Sequence, residues 1–344
     1  MAWLGRGEAD MALIGGEEQP LGVLPLSPLI TAPVPVYALT SVWRHRHCFE
    51  STPIIREGEE AKFLAALFRD LRRNGVKLFH WPSLALDTAF AEELLQHVRR
   101  NGFACQVIQR VDRPLLIAED QCPDTFMSSV LSKKRLRELR RCRRRLDELG
   151  QVRFRVFEGV HDAGEWCQDF LALEASGWKG ASGTGTALSC RPEDRAYFEA
   201  LASGSAARGA ALVHSLELDG RPVAMTVNYR DGGRVWAFKT AYDDRLAHLS
   251  PGVLVEIEGT RAALRDPNIA WIDACTDGNP GLMNELWPDR RPVVDLLIAT
   301  SSTSNALVRP VTKIIRSIRR LRSGAGELRR RMRRRGHRSR GGPT

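Results

Sequence analysis

Between residues 209 and 275 short apolar runs alternate with turn-forming pairs, an order that predicts three strands, a helix and a fourth strand. Residues 210–218 alternate toward apolar and end in Asp219-Gly220, a two-residue hairpin signal. Residues 222–229 return, Asp231-Gly232-Gly233 turns again, and residues 235–242 form the third strand. A loop over 243–249 leads into Ser250-Pro251-Gly252, then a helix with Leu254, Ile257, Ala262 and Leu264 on roughly one face. The start of such a helix carries unpaired N–H groups and the positive end of its dipole. It therefore suits a phosphate or pyrophosphate.

The same reading extends along the chain. Residues 11–14, a Gly-Gly-Glu-Glu turn and residues 21–26 predict a hairpin, and 36–43 another strand. Residues 57–74 predict a helix with Phe63, Leu64, Leu67, Phe68 and Leu71 on one face and Gly75 as its stop. A strand over 76–81, a helix over 87–101 closed by Gly102, and one or two strands over 103–118 follow. Residues 124–149 predict one long helix. Val130, Leu136, Leu139, Cys142, Leu146 and Leu149 form its buried stripe, and Lys and Arg from Lys133 to Arg145 cover much of the rest. Next come a strand over 152–157, a helix over 161–176, a Gly-rich loop to Ser189 and a helix over 191–203. Beyond the meander, the pattern predicts strands over 269–275 and 293–300, with a short helix over 280–287 between them. A final helix spans 309–321, with Pro310 tolerated in its first turn, and Gly324-Ala325-Gly326 is expected to break it.

Three pieces of sequence give this order a family likeness. They are Tyr242-Asp243 closing the third strand, Ser250-Pro251-Gly252 at the helix start, and Glu174-Ala175-Ser176-Gly177-Trp178-Lys179-Gly180 upstream. Together they resemble the GNAT acyltransferases. More closely they resemble the CelD/BcsL-like acetyltransferase branch, related to the FemAB transferases. The resemblance spans about residues 130–300 and implies an α/β (α+β) GNAT acyl-CoA N-acyltransferase fold with tandem GNAT-like lobes. The N-terminal lobe lacks the first strand and helix expected of it, so either it is reduced or the chain's start lies upstream. The implied domains are a reduced lobe over 1–123, a basic linking helix over 124–150, a C-terminal acetyltransferase lobe over 151–300, and a helix with basic tail over 301–344. One departure stands out. The general GNAT pyrophosphate loop has Arg or Gln followed by two glycine-like positions; aligned on Arg245, this chain has His248 and Ser250 there.

The resemblance also implies roles. Acyl transfer from a thioester needs the donor anchored, the thioester oxygen polarised and the acceptor deprotonated. Acetyl-CoA is the implied donor, with Phe238 and Thr240 on the strand that pairs with its pantetheine amides. Leu249, Ser250, Gly252 and Val253 would offer N–H groups to the pyrophosphate, and Arg245 a charge-assisted contact; Pro251 has no N–H to offer. Tyr242 is placed as general acid. Asp273 is taken as base from the carboxylates Asp243, Glu256, Asp273 and Asp277. Glu174, Trp178 and Lys179 would meet a small-molecule or saccharide acceptor. Each has a plainer alternative: an ordinary strand-turn-helix, a half-buried tyrosine, an aspartate bonded to a neighbouring loop, a tryptophan plug beneath a loop. Asn279, Asn284, Trp287 and Arg290-Arg291 form a candidate opposite rim, or a loop packed on the sheet edge. His45 and His47 flank Arg46, which on a strand would put both on one face, but no third ligand is visible, so no metal is expected.

Charge adds a partner to this picture. The chain has a net charge of +10, but 14 of its 51 basic residues and one of its 41 acids lie in 309–340. That segment alone carries +13 and the remainder −3. The tail should attract an anionic membrane or nucleic acid, and Ile314, Ile315, Ile318 and Leu321 form an apolar stripe beside its arginines. The length allows one large domain or two ordinary ones. The seven scattered cysteines show no CxxC pair, no apolar run reaches about 18 residues, and no secretory signal opens the chain. A cytoplasmic protein is expected, with attachment to the inner face of the membrane open. Three functions fit: an acyl-CoA-dependent N- or O-acetyltransferase acting on a sugar or amino sugar in envelope or exopolysaccharide synthesis, a FemAB-like aminoacyl-tRNA-dependent transferase, or a non-catalytic protein of the same fold.

Overall fold

The computed structural model describes residues 9–15, 19–28, 39–119, 121–157, 162–276 and 281–338, and from 322 onward the backbone only. In chain order the elements are β1 (Asp10–Ile14), β2 (Gly22–Pro28), β3 (Leu39–Val42), β4 (Ile54–Ile55), α1 (Glu60–Arg73), β5 (Leu78–Ala85), α2 (Ala89–Arg100) and β6 (Cys105–Ile117). Then come α3 (Pro123–Val130), α4 (Lys133–Asp147), β7 (Val152–Phe157), α5 (Ala163–Ser176), α6 (Pro192–Ala206), β8 (Ala211–Leu218), β9 (Arg221–Asp231) and β10 (Arg234–Tyr242). The last are α7 (Pro251–Ala263), β11 (Trp271–Asp273), α8 (Leu282–Leu286), β12 (Asp289–Ala299) and α9 (Asn305–Arg338). The chain divides into two compact units, Met1–Val111 with Pro292–Thr344, and Asp112–Arg291.

In the first unit the strands run in the order β1-β2-β3-β5-β12, with β4 beside β2. The β3–β5 pair is parallel; β1–β2, β2–β3, β2–β4 and β5–β12 are antiparallel. The expected 11–26 hairpin forms as β1 and β2, while residues 16–18 of its turn and 36–38 of the next strand lie outside the described residues. All five apolar residues expected on one face of α1 are buried, and Gly75, at φ 73°, takes the left-handed turn that ends it. Thr88 caps α2 by accepting from the Ala91 N–H at 3.2 Å.

The second unit carries the meander. Its strands run β6-β11-β10-β9-β8-β7; the β10–β11 pair is parallel and the registered neighbours are antiparallel. Asp219 and Gly220 both adopt positive φ, 51° and 75°, as a tight primed hairpin turn requires. One face of this sheet is covered by α5 and α6, where Trp166, Phe170 and Phe198 pack with Met225 and Val227. The other face is covered by α3, α4 and α7, whose Met127, Leu139 and Val255 share a core with Ala224, Val235 and Ile272.

Two sequence expectations need correction. The single helix over 124–149 is two helices, because Ser132 caps α4 by accepting from the Arg135 N–H at 3.2 Å. A serine that bonds the backbone in this way starts a new helix instead of continuing the old one. At its other end α4 stops at Asp147, so Leu149 falls past it and is exposed, while Leu139, Cys142 and Leu146 are buried. At the other terminus, α9 does not break at Gly324-Ala325-Gly326 but continues to Arg338. Each helical glycine costs only ~1 kcal/mol relative to alanine, which flanking Leu, Arg and Glu residues can offset.

Candidate active site

One unpaired residue organises the site. In β10, Ala237 pairs with Asn228 and Lys239 with Val227, so Phe238 is an extra residue without a partner on β9. Such a bulge reverses the in–out alternation that follows it. Before it, Val235 and Ala237 face the core shared with α7. After it, Tyr242 faces that core and the Thr240 hydroxyl donates to Glu256 Oε1 on α7. Lys239 is sent to the opposite face, where its Nζ donates to Glu174 Oε1 on α5 at 2.7 Å.

The end of β10 and the start of α7 bound a cleft of about 400 Å³. Seven of the residues singled out in the sequence line it: Trp178, Lys179, Thr240, Tyr242, Ser250, Gly252 and Val253. Ser250 turns the chain into α7 through a left-handed conformation, φ 54° and ψ 45°. Its carbonyl accepts from the Val253 and Leu254 N–H groups at 3.0 and 3.1 Å, and its own N–H donates to the Ala247 carbonyl at 3.0 Å. The amides of Ser250 and Val253 are thus engaged within the chain. Among the described residues the Gly252 N–H has no backbone acceptor. A side chain at Gly252 has little room, because its Cβ would stand 2.8 Å from Cδ1 of Tyr242.

Glu256 lies one turn further along α7 and also lines the cleft. Burial pushes its carboxyl up to about 7, and the hydrogen bond from Thr240 only partly offsets this. The sequence named Glu256 as one of four carboxylates but favoured Asp273. Its spacing of four from Gly252 was the available signal, since both then fall on one helix face.

The Gly-rich segment frames the opposite wall. Trp178 is half exposed, and Lys179 Nζ donates to the Thr240 carbonyl at 2.7 Å. Burial holds the Lys179 ammonium below its ordinary pKa, while Glu174 pulls it back upward. Glu174 itself is buried beneath the wall. One oxygen lies 2.7 Å from Lys239 Nζ and 3.7 Å from Lys179 Nζ, and the other accepts from the Leu188 N–H at 2.8 Å. The loop is closed by its own backbone, with the Thr184 N–H on the Trp178 carbonyl and the Thr186 and Ala187 N–H groups on that of Lys179. Gly180 and Gly183 permit this closure, because a Cβ would stand 1.9 Å from the Ala175 carbonyl oxygen and 2.0 Å from that of Trp178.

Other residues of the sequence reading lie elsewhere. Phe238 stacks on Phe198 at 6.0 Å, on the α6 side of the sheet, and Leu249 is a core residue. Arg245 is exposed and folds back on Asp243 at 2.7 Å, a contact that holds the Asp243 carboxyl below its ordinary pKa. Asp273 is fully buried and does not line the cleft. Its Oδ2 meets Arg291 at 3.1 Å and Arg113 at 3.5 Å, and its Oδ1 accepts from the Cys275 N–H at 2.7 Å. Trp287 and Arg291 of the candidate rim are core residues, with Arg291 stacked over Trp271 at 4.6 Å. Asp277 and Asn279 lie outside the described residues.

A meander that feeds a helix start, with the cleft at their junction, defines a mixed α/β domain of the GNAT type. Residues 133–280 match the acetyltransferase (GNAT) domain family. Among solved structures, the chain is similar to L-PGS from Bacillus licheniformis, at 13% identity over 90% of each chain with a TM-score of 0.51. It is similar to FemX at 11% identity, again over 90% of each chain and with a TM-score of 0.51. The C-terminal domain (DUF2156) of a putative lysylphosphatidylglycerol synthetase from Agrobacterium fabrum gives 12% identity, 88% of this chain, 86% of that one and a TM-score of 0.50. At such identities the likeness concerns the fold. No curated protein matches the chain.

Proposed function

We propose that the cleft is the active site of an acyl-CoA-dependent N- or O-acyltransferase, with catalysis in the 151–300 lobe. The observation that carries this reading is a buried carboxyl poised near neutral pH, Glu256, in one cleft with Tyr242 and the start of α7. The residues fit an acyl-CoA donor. Gly252 lines the cleft, its N–H lacks a backbone acceptor among the described residues, and the positive end of α7 favours a pyrophosphate. When bound, the donor supplies an activated thioester.

This chain's residues then do the rest. Glu256 Oε2 accepts the proton of the acceptor's amine or hydroxyl while Thr240 holds Oε1. The Tyr242 hydroxyl, on a side chain that lines the same cleft, returns a proton to the departing thiolate. Asp273, bound by two guanidiniums, serves the sheet. Trp178 offers an aromatic face to a sugar or amino-sugar acceptor, the substrate class of the CelD/BcsL-like branch, in envelope or exopolysaccharide synthesis. Calorimetry with acetyl-CoA, followed by thiol release over sugar and amine acceptors, tests the reading; no binding at millimolar acetyl-CoA ends it.

A second reading rests on α4, whose Arg137, Arg140, Arg141, Arg144 and Arg145 are exposed along one short helix. A polyanion such as aminoacyl-tRNA would engage that face, and the acyl group would then arrive on RNA. The fold likeness to FemX and to L-PGS accords with this alternative. A tRNA mobility shift at physiological salt that acetyl-CoA does not compete away would move the assignment to aminoacyl transfer.

A further inference from the structure

The first helical turns of α9 carry two ridges that their own unit leaves uncovered. Val308, Thr312 and Ile315 turn inward and are buried, Val308 and Ile315 against Leu78, Leu297 and Ala299. Ile315 therefore leaves the exposed stripe expected from sequence. Leu307, Ile314 and Leu321, spaced by seven, are exposed at 39%, 48% and 74%. Val311 and Ile318 sit half-buried between them. Arg309 and Lys313 are exposed as well, while Arg316 beside them donates to the Val107 and Ile108 carbonyls. At 100° per residue the apolar ridge lies about 120° to one side of the buried line and the basic ridge about 110° to the other. Both ridges therefore border the outward face. In sequence the apolar spacing continues through Ala325, Leu328 and Met332, and nine further arginines follow Leu321.

We infer that α9 is a docking surface for an anionic phospholipid bilayer, lying in the plane of the interface. Charge decides among occupants. A second copy of this chain would set one segment of +13 against another, and like charges along a helical seam oppose pairing. A nucleic acid would neutralise the arginines but offers no apolar phase to cover Ile314 and Leu321. A bilayer surface offers both, anionic headgroups for the basic ridge and acyl chains for the apolar one. No described helix is long and apolar enough to cross a membrane, so the contact is side-on. This inference stands apart from the acyl-transfer reading, since it uses no residue of the cleft.

Co-sedimentation of the full chain with phosphatidylcholine vesicles, with and without phosphatidylglycerol, tests it. The expected result is at least tenfold stronger binding to the anionic vesicles, falling steeply with salt. The pair Ile314→Ser and Leu321→Ser, which leaves the charge unchanged, should weaken that binding about tenfold. A second pair, Arg309→Gln and Lys313→Gln, should weaken it on anionic vesicles only; circular dichroism confirms that each variant is folded. Equal binding to neutral and anionic vesicles, binding unchanged by the serine pair, binding to RNA alone, or a dimer that the serine pair dissociates would each overturn the inference.

Discussion

The ring of Tyr242 lies against the backbone of Gly252, so close that a Cβ there would meet Tyr242 Cδ1 at 2.8 Å. Strand end and helix start are thereby locked together at the mouth of the cleft. Gly252→Ala should displace the ring by a few tenths of an ångström and lower turnover about tenfold. Gly252→Asp should abolish acetyl-CoA binding, because it adds a carboxylate where a pyrophosphate is expected. Calorimetry and thiol-release assays check both, and a full loss of folding in the alanine variant would show that the contact is structural only.

Glu256 gives the pH dependence. With its carboxyl raised to about 7, the base form grows as pH rises, so kcat/KM should climb through pH 7 and then level off. Glu256→Gln should remove that limb and lower kcat about 100-fold. Thr240→Val removes the hydrogen bond that favours the ionised form and should move the limb to higher pH. Stability runs the other way. The fold holds this proton more tightly than the unfolded chain, so the group's stabilising contribution is present below about pH 4.5 and lost as pH rises through 7. Above pH 7 the glutamine variant should therefore be more stable than wild type, by up to ~3 kcal/mol, as urea unfolding would show.

Trp178→Ala should raise the acceptor KM or lower turnover while leaving acetyl-CoA affinity nearly unchanged, since the side chain is half exposed on the wall opposite α7. Gly180→Ala is the contrasting variant. Its Cβ would stand 1.9 Å from the Ala175 carbonyl oxygen, so the loop must open and the melting temperature should fall. Equal effects of the two substitutions on stability would show that Trp178 is a core residue.

His214 is buried with its Nδ1 3.2 Å from the Thr226 hydroxyl, and burial lowers its pKa from 6.5 to about 4. The unfolded chain takes up a proton near pH 6.5 that the folded chain refuses until about 4. Stability present above 6.5 is thus lost as pH falls toward 4, by ~3 kcal/mol. His80, lowered to about 4 mainly by burial, adds to the same window. Urea unfolding at pH 7 and pH 4.5 should show the loss, and His214→Asn should reduce the slope without removing it.

The meander and the helix after it were legible because turn pairs and alternation are local signals, and Asp219-Gly220 folds as the pattern requires. The gathering of Trp178, Tyr242 and Gly252 into one cleft was legible from the family likeness of their motifs. The placement of Glu256 in the cleft and of Asp273 outside it was not. Glu256 meets β10 through Thr240, whose facing follows the extra position at Phe238, and no residue type announces that position. The buried partners Arg113 and Arg291 of Asp273 are 160 and 18 residues away in sequence, beyond the reach of any periodicity. The break at Ser132 did have a local signal, a serine before a run of helix formers, but the continuous apolar stripe on either side outweighed it.

Phe238 makes β10 a strand with odd parity. Residues before it and residues after it obey the same alternation counted from different origins, so the strand can be rewritten in two independent halves. Changes at Val235 or Ala237 tune packing, and changes at Thr240 or Tyr242 tune the cleft. Pairing Phe238 regularly with β9 would preserve the whole composition, yet it would carry Lys239 to the wall now held by Thr240 and turn Tyr242 toward α5, whereas deleting Phe238 would leave both facings as they are. The chemistry of this strand is written less in which residues it contains than in whether their number is counted with or without one phenylalanine.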